Sequence, residues 1–166
     1  MATEDRTAVF DAVVAAADYP VLLVTVQAED RRAGCLVGFA TQVSIEPRRF
    51  LIGLSKKNHT YRVAQRADRL AVHVLSSEQL SLARLFGGET GDDIDKFVHC
   101  DWHSGPGGIP VLSTVPSWFS ARIRERYDFG DHAGLLLEPE DAAVRRNPAE
   151  TLHYHSVADL VAGHAV

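Results

Sequence analysis

Between Trp118 and Tyr127 the side chains alternate, with Trp118, Ser120, Arg122, Arg124 and Arg126 on one side and Phe119, Ala121, Ile123, Glu125 and Tyr127 on the other. A period of two places neighbours on opposite faces of a pleated strand and does not fit a helical stripe. Turn residues Asp128 to Asp131 follow, and Leu135 to Leu137 then predicts an antiparallel return strand.

Shorter segments supply the rest of a sheet. Val21 to Val26 is an apolar run rich in β-branched residues, and Cys35 to Ser44 alternates loosely after a charged turn at Glu29 to Arg32, which predicts a hairpin closed by Pro47. Phe50 to Leu54 and Leu70 to Leu75 read as further strands. Helical spacing is found over Thr7 to Ala17, stopped by Asp18 and Pro20, and over Thr60 to Ala67. A third helix, capped by Ser77, carries Leu80, Leu82, Leu85 and Phe86 and ends at Gly87, Gly88 and Gly91. Gly87 to Gly108 predicts a long functional excursion with a brief helix around Asp92 to Phe97. About six strands joined by hairpins predict a mainly β, α+β fold: a closed antiparallel barrel with flanking short helices. With 166 residues, no repeat and no linker, residues 1–166 are expected to form one domain.

Charge and composition remove several function classes. A formal charge of −5 argues against a sequence-independent grip on nucleic acid or anionic lipid, and no run is long enough to span a membrane. The acidic opening of Met1 to Asp18 lacks a basic leader, so a cytoplasmic location is expected. Cys35 and Cys100 are far from any C-x-x-C pairing and read as packing residues. His99, Cys100 and His103, with His153 and His155 further on, do not assemble into a closed ligand set, so no metal is expected. Rossmann, P-loop and nucleophile-elbow motifs are missing from the sequence.

Two polar segments carry the candidate chemistry. Ser55-Lys56-Lys57-Asn58-His59-Thr60 collects hydroxyls, ammonium groups and an amide between a strand end and a helix start. Such a set suits a phosphate, which needs several donors converging on one point, although a solvated, capped turn has the same composition. Gly38 to Ser44, including Thr41, Gln42, Val43 and Ser44, mixes small and polar residues that let a flat ring approach strand N–H and C=O groups. A bland solvent-facing strand is the competing reading.

Five segments in order resemble the flavin reductase-like proteins of the FMN-binding split-barrel class: GFATQVSIEP from Gly38, SKKNHTYRVA from Ser55, LAVHVLSSEQLSLARLF from Leu70, DKF from Asp95 and YDFGDH from Tyr127. The resemblance implies that Thr41 to Ser44 meet the isoalloxazine ring and that Ser55 to Thr60 meet the ribityl chain and phosphate. It further implies that Phe86, Lys96, Phe97 and His132 approach the flavin or the nicotinamide, with His132 holding the nicotinamide or helping to protonate reduced flavin. The implied activity is hydride transfer from NADH or NADPH to FMN or FAD by a homodimer that supplies a separate monooxygenase component. The same scaffold also serves flavin storage or sensing without turnover and deazaflavin-dependent reduction. Gln42 and Val43 depart from the consecutive serines common in the family, and Pro139 with its acidic neighbours is expected to interrupt the strand after His132.

Overall fold

The computed structural model describes residues 5–147 and 150–163. Helix α1 (Arg6–Ala16) is capped by Asp5, whose carboxylate accepts from the Thr7 N–H. Strands β1 (Leu22–Ala28), β2 (Arg31–Val37), β3 (Ala40–Ser44) and β4 (Arg49–Ser55) precede helix α2 (His59–Ala64). Strand β5 (Arg69–Val74) leads to helix α3 (Leu80–Gly88), and a two-stranded ribbon of β6 (Trp102–Ser104) and β7 (Pro110–Leu112) follows. The chain then forms the long hairpin β8 (Ser117–Asp128) and β9 (His132–Val144).

The large sheet has seven strands in the order β2-β1-β5-β8-β9-β4-β3, every neighbour antiparallel. The expected closed barrel is therefore corrected: β2 and β3 are end strands and the sheet stays open. Helices α2 and α3 pack against β2, β3 is short and carries a bulge between Gln42 and Ser44, and no ladder joins the two ends. The expected single strand Cys35–Ser44 is split at Gly38 and Phe39. Its first half pairs with β1 and its second with β4.

Pro139 does not end the last strand. β9 runs on to Val144 because beyond Leu137 it pairs with β8 alone, and the ladder skips Glu140 between Asp141 and Pro139. A bulge with one free edge tolerates a residue that lacks an N–H. The outward side is laced by Glu140 between Arg69 and Arg122, and by Glu138 between Arg49 and Arg124.

Both faces of the sheet's centre are buried, which explains the unbroken apolar run in β1. Leu22, Val24 and Val26 join Ile52, Leu54, Leu70, Val72, Ile123 and Leu135 inside the curl, where α2 adds Val63 and Ala64. Val21 and Leu23 face a second core with Phe86, Phe97, Val111, Leu112 and Leu152. His73 ties sheet to ribbon: its Nδ1 is 3.0 Å from the Leu23 carbonyl and its Nε2 accepts from Leu112 N–H at 3.2 Å. Burial pushes this imidazole down to about 4, so it is neutral and Nδ1 carries the proton.

Helix α3 is entered through Ser76, not Ser77. Ser76 N–H donates to Gln79 Oε1 at 3.0 Å and Gln79 N–H to the Ser76 carbonyl at 3.0 Å around a 3-10 turn. Helix α1 has the expected position, yet Val9, Phe10 and Val13 are exposed and no α1 side chain is buried.

Candidate functional site

A cleft of about 330 Å³ opens where β2 and β4 end. One end is polar, with Ser55, Lys57 and Asn58 from the turn after β4, and Asp131 and His132 from the β8–β9 turn. Register explains the meeting: Ser55 lies opposite His132 in the β4–β9 ladder, and Lys56 N–H donates to the Asp131 carbonyl at 2.9 Å. The walls are apolar, including Leu36, Val37, Leu54, Phe86 and Val157, and Tyr19 and Tyr154 also line the cleft.

The six-residue turn divides sharply. Lys57 is exposed at the cleft, and no ion pair holds it among the described residues. Asn58 lines the cleft while its side chain caps α2, accepting from Thr60 N–H at 2.9 Å. Lys56 is spent on Asp128 at 2.7 Å, which holds that carboxyl below its ordinary range. His59 turns away toward the excursion, with Nδ1 2.9 Å from Asp92, and Asp92 also binds Arg62. Mainly through the Arg62 guanidinium, the Asp92 carboxyl is lowered to about 2. Thr60 is buried.

A second recess of about 420 Å³ shares Phe39, Gly53, Asp131 and His132 with the cleft and adds Thr41, Leu51 and Phe129. Phe39 and His132 form a tilted aromatic pair with ring centroids 4.9 Å apart. Gly53 makes room for it: a Cβ there would stand 3.1 Å from Phe39 Cβ. His132 Nδ1 lies 2.8 Å from Asp131 Oδ1. In the neutral ring that contact places the proton on Nδ1 and leaves Nε2 as acceptor. Further along exposed β3, Gln42 Nε2 donates to the Ser44 carbonyl at 3.0 Å, and Val43 faces solvent.

Lys96 and Phe97 are elsewhere. Lys96 is buried, donating to the Gly34 carbonyl at 3.1 Å and the Phe86 carbonyl at 2.9 Å, and desolvation lowers its pKa. Phe97 packs edge-on to Phe86 with centroids 5.6 Å apart. Phe97 belongs to the second core, Lys96 is buried beside it, and of Phe86, Lys96 and Phe97 only Phe86 reaches the cleft. His99 and Cys100 line a different groove, His103 meets Ser113, and burial pushes the Cys100 thiol up to about 11. Among the described residues no three such side chains gather as a metal site.

Sequence reasoning missed the cleft's tyrosines, Phe39 and Asp131. The carboxylate beside His132 was legible as a neighbour. Tyr19 and Tyr154 are separated by most of the chain and had no local signal.

The donor set fits a flavin nucleotide. A free ammonium and a hydroxyl at one end suit a phosphate, while apolar walls with an imidazole and strand carbonyls nearby suit a flat heteroaromatic ring. A family model described as "Flavin reductase like domain" matches residues 15–159. The reductase component of a 4-hydroxyphenylacetate 3-monooxygenase from Pseudomonas aeruginosa is 30% identical over 142 residues, 85% of this chain and 84% of that protein. An NADH-dependent FMN reductase of Klebsiella pneumoniae is 30% identical over 128 residues, 77% of this chain and 76% of its own. Among solved structures, an NADH:FAD oxidoreductase of Streptomyces globisporus superposes with a TM-score of 0.78 at 27% identity, covering 90% of this chain and 87% of the other. Two further curated relatives are longer proteins, of which this chain spans 37% and 62%.

Proposed function

The chain belongs to the flavin reductase-like family, and on that footing we propose that it transfers a hydride from NADH or NADPH to FMN, with FAD as the alternative, and hands reduced flavin to a separate monooxygenase component. The observation that carries this reading is the convergence of Lys57, Ser55 and His132 on one apolar-walled cleft beside Thr41. Lys57 and Ser55 bind the phosphate. The strand around Thr41 and the recess beyond Phe39 receive the ring, with Thr41 to Ser44 offering edge-strand backbone groups.

The flavin, when bound, supplies the hydride-accepting nitrogen. The protein's part is to stack and orient the two rings, and orientation alone removes several kcal/mol of the barrier, on the order of 7 in well-aligned cases. Asp131 fixes the imidazole of His132, whose Nε2 then takes or returns a proton at the reacting edge or holds the nicotinamide amide. Phe86 forms part of the wall of the adjoining cleft. Lys96 and Phe97 support it from behind.

We also assign a homodimer. An 11-residue helix without a single buried side chain is marginal by itself, and α1 leaves Phe10 and Val13 each 66% exposed. The unpaired edge of β3, flanked by Ile45 and Phe39, is a second surface that gains from being covered. Residues 1–166 act as one unit in this reading. No described helix is long and apolar enough to cross a membrane.

The test is to mix the purified protein with NADH or NADPH and excess FMN or FAD and follow nicotinamide absorbance. The proposal expects oxidation well above a control without protein. A protein that binds flavin yet accelerates nothing is a storage or sensing module, and the enzyme reading fails.

A further inference from the structure

We propose that the part of the main cleft lined by the stacked pair Tyr19 and Tyr154 is a subsite for the adenosine moiety of a dinucleotide. This rests on the flavin reductase reading and adds what the rest of the ligand meets.

The two rings stack with centroids 5.0 Å apart and planes 24° from parallel, and both line the cleft that holds Ser55 and Lys57. Each remains partly exposed after stacking. Their position is set by backbone and not by chance contact. Tyr154 N–H donates to the Tyr19 carbonyl at 2.9 Å, Pro20 bridges His153, and His155 N–H donates to the Asp18 carboxylate at 2.8 Å. Gly38 is part of the same design, because a Cβ there would stand 2.8 Å from Tyr19 Cε2. Only glycine lets the ring lie across the chain between β2 and β3.

A pair fixed in this way is preorganised, so a ligand ring loses little by ordering it. Every purine offers a face to stack on an aromatic ring. Neither phenol hydroxyl has a partner among the described residues, and burial together with Tyr154 raises the Tyr19 pKa, so that hydroxyl stays a donor for a ribose oxygen or ring nitrogen. Val157 and Leu160 add apolar wall beside the pair. With the flavin ring at the Thr41 recess and its phosphate at Lys57, a mononucleotide gives the tyrosines nothing to bind. An adenosine diphosphate group, whether from FAD or from NAD(P)H, places phosphate and purine in one cleft.

Calorimetric titration with ADP tests the assignment on the wild-type protein, Tyr154→Leu and Tyr154→Phe, each also titrated with FMN. The wild type is expected to bind ADP, Tyr154→Leu to bind it about tenfold more weakly, as for one lost stacking partner, and Tyr154→Phe to stay within about threefold of wild type because the ring remains. Two arms separate the sources. A rise confined to the FAD-to-FMN ratio of dissociation constants points to flavin adenine, and a rise confined to the KM for NADH points to the nicotinamide dinucleotide. ADP affinity unchanged in Tyr154→Leu, ADP and FMN weakened equally, or no ADP binding by a protein that binds FMN overturns the proposal. Loss of both ligands in the wild type overturns the flavin reductase reading itself.

Discussion

Lys96 and His73 in the second core and its ribbon contrast with Lys57 and His132 at the cleft. The buried lysine gives hydrogen bonds to the Gly34 and Phe86 carbonyls, and the buried histidine bridges Leu23 and Leu112 with both ring nitrogens. The cleft lysine has no ion partner among the described residues, and the cleft histidine uses one nitrogen on Asp131. The same two residue types therefore do opposite work. Where the fold consumes the hydrogen-bonding capacity, the side chain is structural, and where capacity is left over beside a cavity, it is available to a ligand.

The sharpest way to break this contrast is to remove the buried charge. Lys96→Met leaves two carbonyls unpaired in the core and is expected to destabilise by about 3 kcal/mol, read as a fall in the denaturant midpoint. If stability held and only flavin affinity fell, Lys96 would belong with Lys57.

His73 gives a pH test of similar size. Its folded pKa of about 4 lies below the ordinary 6.5, so the unfolded chain binds more protons between those values. Stability is therefore full above about pH 6.5 and falls as pH drops toward 4, by about 3 kcal/mol in all at 1.36 kcal/mol per unit. Chemical denaturation of wild type and His73→Phe at pH 7 and pH 4.5 checks the sign. The variant should start less stable and lose less on acidification.

At the cleft the ordering of effects reverses. His132→Leu is expected to slow flavin reduction about tenfold while leaving the unfolding midpoint within about 0.5 kcal/mol, as for a surface change. Stopped-flow absorbance and a melt on the same sample decide it. Smallest is Asp92→Asn, which loosens the His59 and Arg62 contacts that brace the turn after β4 without touching the cleft. A two- to threefold rise in the FMN dissociation constant is expected, an effect of a few tenths of a kcal/mol.

Much of the sheet was legible because alternation and β-branched runs report a pleated surface directly. The β8–β9 hairpin, β1, β4 and β5 followed from that signal. The break between β2 and β3 was hidden, since Gly38 and Phe39 continue the composition of the strand while the backbone changes partner. Pro139 misled for a related reason: a proline ends a central strand, but here it sits on a free edge at a bulge. Helix α1 showed its apolar stripe correctly, and the sequence could not reveal that none of the described residues buries that stripe. At the site, the turn after β4 was identified as a unit, yet only Ser55, Lys57 and Asn58 face the cleft, because register and capping turn the others elsewhere. In the sequence, Lys57 reads from its polar turn as a phosphate donor, and Lys96 only from the family resemblance as a neighbour of the flavin or nicotinamide. Burial separates them, and burial is a property of the whole fold.

Fluorescence titration of FMN and riboflavin against wild type and Lys57→Met measures directly whether the free lysine meets a phosphate. The account predicts that FMN binds the wild type at least tenfold more tightly than riboflavin, the scale of one charge-assisted hydrogen bond, and that Lys57→Met closes this gap while leaving riboflavin unchanged. Equal affinity for the two flavins in the wild type, or a gap that survives in Lys57→Met, would contradict it.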